Sequence, residues 1–372
     1  MIWILDIIDI ILKGGWEKFY MDINLLEVLK NASEKKASDI FIVAGLPLSM
    51  KVKGEIISVT EDKLTPNDTA ALIREIYEIG KNPNFEKFAT VGDSDFSFST
   101  SVGRFRVNTY RQRGSLAAVL RIVSFTLPDP SSLGIPPAVM ELYNKQKGII
   151  LITGPTGSGK STTLACVIDS INKNRKGHII TLEDPLEFIH SHKQSIVSQR
   201  EIPTDSLTYL QAIKSALRQS PDVILVGEMR DIETIGIALT AAETGHLLLS
   251  TLHTMGAAQT IDRIIDIFPA NQQQQIRVQL SMTLQAVVSQ QLIPTVDKGL
   301  VAAFEVMMYN TAIANLIREN KLHQINSVIH TSGDIGMQTM DSSLVALVKK
   351  GAITKETAMI YSANPDIIAR ML

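Results

Sequence analysis

The sequence predicts an α/β chain of two domains: a small α+β domain, then a larger one built on a buried parallel sheet with crossover helices. Three observations carry that expectation. Residues 148–152, 178–182, 223–227 and 247–249 are short apolar runs, the mark of strands covered on both faces. Residues 22–126 instead mix helical spacing with the alternation of half-buried antiparallel strands. Between the two regimes, residues 127–137 are dense in proline and serine, as a linker requires.

In chain order, residues 1–21 are strongly apolar but short, broken by Asp6 and Asp9, with no basic residue ahead of the apolar run. They fit neither a membrane-spanning helix nor an ordinary signal peptide. We read them as an extension, with translation from Met21 the simplest explanation. Residues 25–33 have helical spacing, 39–43 and 48–52 alternate as strands, and Gly54 marks a turn. Residues 67–79 are again helical, and 95–98, 104–107 and 117–123 alternate. Residues 138–310 carry the strand-and-helix alternation of the larger domain. From 311 to 372 the pattern turns helical and predicts a terminal helical subdomain.

Composition narrows the function classes. A length of 372 residues with 45% hydrophobic content supplies a core for each domain. A net charge of −2 and 5% aromatic residues give neither the basic excess nor the stacking platforms of a nucleic-acid groove. The single cysteine, Cys166, excludes a disulfide or a four-cysteine zinc module within one chain. Placed on the apolar run of a helix, it reads as a small packed hydrophobe in a reducing cytoplasm.

The most specific motif is Gly154-Pro155-Thr156-Gly157-Ser158-Gly159-Lys160-Ser161, followed by Thr162. Its glycines allow successive backbone N–H groups to turn inward around phosphate oxygens, and the strand before it and helix after it are in the required places. Lys160 is spaced to reach the β- and γ-phosphates of ATP, and the Ser161 hydroxyl to ligate Mg²⁺. A hydrolytic site also needs a carboxylate from a neighbouring strand. Glu228 follows the 223–227 run, and the cluster Glu183, Asp184 and Glu187 follows the 178–182 run. His246 and His253 bracket the 247–249 run and are candidates to contact the γ-phosphate; with no third soft ligand nearby, they do not form a metal site.

Taken with residues 180–188, 225–231, 241–246, 251–254, 260–266 and 336–341, these motifs resemble PilT-type ATPases, the retraction motors of type IV pili, within the secretion-ATPase superfamily. The resemblance spans about residues 33–344. It implies a PAS-like N-terminal domain over 22–126 and a RecA-like P-loop ATPase domain over 138–310. It also implies a homo-hexamer hydrolysing Mg-ATP at subunit boundaries. By that resemblance Glu228 is the Walker B glutamate, which positions or deprotonates water with help from Glu187 and shares the metal with Ser161. Glu183 and Asp184 fall in the acidic box, and His246 and His253 in the histidine box. Arg104 and Arg106, ahead of Arg113 and Arg121, match the arginines that approach the phosphates. The chain departs from the family pattern at Phe41, where a histidine is usual, and at Ala314, where an arginine is usual.

The implied partners are an inner-membrane pilus platform protein and a paralogous retraction ATPase. The implied location is cytoplasmic, peripheral at the inner face of the cell membrane. Pilus or type II secretion assembly ATPases share the same site motifs, but typically add an N-terminal domain and often a four-cysteine module that this sequence does not show. A RecA-like nucleic-acid translocase is the alternative of another class, and the charge and aromatic content above weigh against it.

Overall fold

A computed structural model describes residues 23–123 and 127–371, and the expectations for residues 1–21 lie outside them. Internal contacts divide the chain into two units, Met1–Phe125 and Thr126–Leu372.

The first unit opens with helix α1 (Leu25–Glu34), capped by Asn24, whose side chain accepts the Glu27 N–H. Its Leu25, Val28, Leu29 and Ala32 form one buried stripe. Strands β1 (Asp39–Ile42), β2 (Pro47–Val52) and β3 (Glu55–Lys63) follow, then α2 (Pro66–Ile79), α3 (Phe85–Val91), β4 (Asp93–Thr100), β5 (Gly103–Gln112) and β6 (Ser115–Val123). The start of α2 is set by a capping box between Thr65 and Asp68. All pairings in the sheet are antiparallel, in the order β3-β2-β1-β6-β5-β4.

Alternation along β5 buries Phe105, Val107 and Thr109 and turns Arg104 and Arg106 to the other face. The buried face packs with Leu25, Leu29, Ile73 and Ile76 of the two helices. On the opposite face Arg106 pairs with Asp95 at 2.6 Å and Arg121 with Asp39 at 3.0 Å. Arg106 and Arg121 are direct cross-strand neighbours, so one polar row crosses four strands. Strand β3 and helix α3 had no counterpart in the sequence reading. Every β3 residue is at least partly exposed, so no alternation marks it, and α3 has only seven residues.

The second unit contains α4 (Pro137–Met140), β7 (Gly148–Thr153), α5 (Lys160–Asn174), β8 (His178–Glu183), β9 (Ile196–Glu201), α6 (Tyr209–Ala216), β10 (Val223–Val226), α7 (Ile232–Glu243) and β11 (Leu247–Leu252). It continues through α8 (Ala257–Asp266), α9 (Ala270–Thr283), β12 (Leu284–Pro294) and β13 (Leu300–Met308). Five helices complete it: α10 (Thr311–Arg318), α11 (Ile325–Thr331), α12 (Met340–Lys349), α13 (Lys355–Tyr361) and α14 (Pro365–Met371). The strand order is β13-β12-β7-β11-β10-β8-β9, parallel throughout except for the β12–β13 pair.

Every residue of β7, β10 and β11 is buried, because helices cover both faces of the sheet. Ile135, within the 127–137 stretch, is itself buried with Val139 and Leu142 in the second unit. Cys166 is 3% exposed on α5, and burial pushes its thiol up to about 11, so it packs as an inert hydrophobe.

Phe105 is fully buried and stacked on Phe98 at a centroid distance of 5.4 Å. Truncation to Ala should cost about 3–5 kcal/mol in urea unfolding of the full chain. A loss below about 1 kcal/mol would show that this core tolerates the cavity.

Candidate active site

The loop after β7 turns through three left-handed glycines: Gly154 at φ +141°, Gly157 at +78° and Gly159 at +85°. At Gly154 a Cβ would lie 2.1 Å from the Gln290 carbonyl oxygen, and at Gly159 it would lie 2.9 Å from the Gln290 side-chain nitrogen. Glycine is required here by the approach of β12 as much as by the turn. The buried Gln290 side chain also accepts the Thr163 hydroxyl at 2.7 Å, joining β12 to the first turn of α5.

Lys160 is 7% exposed, and its Nζ donates to the carbonyls of Gly154 at 2.9 Å and Pro155 at 2.8 Å. Burial lowers its pKa, opposed by the charges of Glu187 and Glu228. The amides opening α5 have no partner inside the helix and carry its positive end, so loop, lysine and helix together form an anion cradle.

Strand order places the carboxylates. β11 lies between β7 and β10, so the segments leaving the C-terminal ends of all three strands meet at one edge. The Ser250 hydroxyl donates to the Val226 carbonyl at 2.7 Å and Thr251 donates to Gly227, which ties β11 to the strand end that presents Glu228. Glu228 Oε1 pairs with Arg230 at 2.7 Å, and its Oε2 lies 3.9 Å from His253 Nε2. His253 Nδ1 in turn lies 3.4 Å from the Thr156 hydroxyl in the loop. The cleft is ≈ 270 Å³, with Thr156, Lys160 and Ser161 on its wall together with Glu183, Glu187 and Glu228.

Burial pushes the Glu183 carboxyl up to about 7; hydrogen bonds from Thr181 and Gln199 oppose the shift, and the charges of Glu187 and Glu201 add to it. Tyr209 is likewise held neutral by burial and by the neighbouring carboxylates of Glu228, Asp184 and Glu183. Its hydroxyl would lie 2.9 Å from a Cβ on Gly227, so the glycine makes room for the phenol in the cleft.

Tyr209 and Gln290 are site residues that sequence reasoning missed. Tyr209 opens an ordinary capped helix, and Gln290 sits in a strand whose polar centre is buried, so neither carries a local signal.

Of the expected site residues, Thr156, Gly157, Lys160, Ser161, Glu183, Asp184, Glu187, Glu228 and His253 line one cleft. Gly154, Pro155, Ser158 and Gly159 complete the loop, and Thr162 lies in the first turn of α5. The structure separates the two paired histidines. His246 precedes β11, at the edge of the sheet opposite the loop, where Nδ1 lies 3.0 Å from the Ala241 carbonyl. Within one chain a phosphate contact is open to His253 and closed to His246, because a six-residue strand separates them.

Arg104 and Arg106 lie on β5 of the first unit, where Arg104 donates to Ser99 at 3.1 Å and Arg106 holds Asp95. Among the described residues no group of three or more His, Cys, Asp or Glu could hold a metal. Magnesium takes few protein ligands when phosphates supply the rest. Ser161 and Glu228 sharing the cleft therefore fit a metal that arrives with its nucleotide.

Known proteins resemble this chain along most of its length. A type IV pilus retractation ATPase, PilT, of Pseudomonas aeruginosa is 45% identical over 344 residues, covering 92% of this chain and 99% of that protein. A twitching motility protein of Neisseria gonorrhoeae is 43% identical over 345 residues, covering 92% and 91% respectively. A crystal structure of the pilus retraction motor PilT with bound ADP superposes with a TM-score of 0.85 at 48% identity, over 94% of this chain and 100% of that one. These likenesses support the PAS-like and RecA-like readings of the two units. Residues 19–325 match the type II/IV secretion system protein family, and with that match spanning both the first sheet and the phosphate loop, the chain belongs to that family.

Proposed function

We propose that the chain is an ATP-hydrolysing motor that powers type IV pilus retraction as a homo-hexamer. One observation carries the reading: a single cleft sets Lys160 and Ser161 against Glu228 and His253. Agreement with the retraction relative over 99% of that protein's length favours retraction over assembly.

On binding, triphosphate oxygens replace the Gly154 and Pro155 carbonyls as acceptors for Lys160, while the α5 amides hold the remaining oxygens. Ser161 and Glu228 would hold Mg²⁺, which would neutralise charge on the phosphates when bound. Glu228 orients and deprotonates the attacking water with Glu187 nearby, and His253 relays the state of the terminal phosphate between Thr156 and Glu228. Glu183, raised to about 7 and so partly protonated near neutrality, reduces the negative charge that meets the incoming phosphates.

Arg104 and Arg106 stabilise charge on the transferred phosphoryl group at a subunit boundary. Site closure moves the 22–126 domain relative to the 138–310 core. Repeated around a closed head-to-tail ring, these closures do mechanical work on an axial partner. That partner is the pilus platform protein of the inner membrane, with a paralogous retraction ATPase as a second companion. Attachment to the cytoplasmic face runs through the platform; no helix among the described residues is long and apolar enough to cross a membrane.

Deleting the gene should leave surface pili accumulating while surface movement stops; loss of pili would instead assign the chain to assembly. In the purified protein, Lys160→Ala should weaken ATP binding at least tenfold by isothermal titration. Glu228→Gln should bind ATP normally and turn over about a hundredfold more slowly or worse, and a wild-type phosphate-release rate would remove Glu228 from its role.

The acidic box makes its own prediction. Glu183 titrates near 7 in the folded chain against 4.5 as its ordinary value. The folded state therefore binds the extra proton across that window, and stability falls as pH rises through it. Melting curves of nucleotide-free Glu183→Gln should lose that slope, which is worth of order 3 kcal/mol in the wild type.

A further inference from the structure

Glu305 stands on β13 at 6% exposure, outside the nucleotide cleft. Its Oε1 accepts the Ala257 N–H at 2.7 Å, the first amide of α8. Met340, the first residue of α12, borders the same cleft as this carboxylate. The carboxylate therefore caps α8, whose first turn has no acid and whose N-cap Gly256 has no side chain to offer, and it stands beside the start of α12, which has its own cap in Thr339 and its own acid in Asp341. Directly across the β12–β13 ladder from Glu305, the Ser289 hydroxyl accepts the Gly256 N–H at 2.9 Å.

The two helix starts lead to different places. Gly256 and Ala257 follow His253 by three and four residues, so the α8 end of the clamp is the segment that places the cleft histidine. The α12 end belongs to residues 336–341, a motif whose purpose the ATPase chemistry leaves unexplained. Gln338 adds a backbone bridge to Val306 on β13 at 2.8 and 3.1 Å, and its side chain donates to the Phe304 carbonyl at 3.0 Å. Asp341 accepts the Ala363 N–H at 2.9 Å, fastening the turn that follows α13. A cleft of ≈ 320 Å³ lies at this joint, bordered by Gly256, Ser289, Gln291, Glu305, Met340 and Ala363. The joint is thus made by directional polar contacts as well as by apolar packing.

We propose that Glu305 is a positioning residue that couples the C-terminal helices to the nucleotide cleft, holding the His253 segment in register with α12. This rests on the ATPase reading for its catalytic consequence. A load that shifts α12 or the 361–363 turn moves the Glu305 carboxylate and, through Ala257, the strand exit that carries His253.

Full-length Glu305→Ala should lower kcat for ATP about tenfold while KM stays within about twofold, because nucleotide binding rests on the loop and Lys160. Amide hydrogen exchange at Gly256 and Ala257 should accelerate more than exchange in the central strands. Glu305→Gln, which keeps a carbonyl acceptor, should restore both readouts toward the wild type. Gln338→Ala, which touches only the C-terminal side, should accelerate exchange at the same two amides.

The proposal is overturned if Glu305→Ala leaves kcat unchanged, if exchange rises only uniformly across the chain, or if Gln338→Ala leaves residues 256–257 unaffected. A wild-type chain that hydrolyses no ATP would defeat the ATPase reading, while the exchange measurements would still decide the clamp.

Discussion

The closeness of β12 to the phosphate loop is the constraint on which the site depends. Where a side chain at Gly154 would lie, the Gln290 backbone carbonyl is already in place, and the same residue's amide holds Thr163 at the start of α5. Ser289, the preceding residue, pairs with Thr153 of β7 and accepts the Gly256 N–H. Successive residues of a strand face opposite ways, so one strand props the loop on one side and the histidine segment on the other. The loop's shape is thus enforced by its neighbours, and a cradle of inward N–H groups persists with the lysine bonded to the loop's own carbonyls.

Charge is arranged around that fixed frame. Four acidic residues, Glu183, Asp184, Glu187 and Glu228, share a cleft with one buried ammonium, a density of negative charge hostile to a triphosphate. The cleft relieves it by raising the Glu183 carboxyl to about 7, by keeping Tyr209 a neutral phenol and by pairing Glu228 with Arg230. Thr156, His253, Glu228 and Arg230 then form a polar chain from the loop to the strand end. A group able to report phosphate occupancy to a carboxylate must lie on such a line, and His253 does.

Legibility in the sequence followed how local each signal is. The loop, the buried runs at β7, β8, β10 and β11, and the acidic residues after β8 and β10 were readable, because an apolar run ending in a turn residue announces both the strand and its exposed end. The β12–β13 pair was not: its centre, Ser289-Gln290-Gln291, is polar yet nearly inaccessible, and polar residues inside a strand resemble a loop until their partners are known. His246 and His253 looked equivalent as the two ends of one run. The direction of β11 in a parallel sheet separates them by its full length.

By itself, the amino-acid order determined that a phosphate-binding loop sits between a buried strand and a helix, that carboxylates follow other buried strands, and that a proline-rich stretch precedes the loop. Those features arise from the dihedral freedom of glycine, the period of two along a strand and the rigidity of proline, all of which act over a few residues. Only the tertiary structure decided that β11 lies between β7 and β10, that Tyr209 enters the cleft, that Gln290 fills the space at Gly154, and that Glu305 caps α8 beside the start of α12. Each of these contacts joins residues far apart in the chain, and which of them meet is set by strand order, a property of the whole sheet rather than of any segment within it.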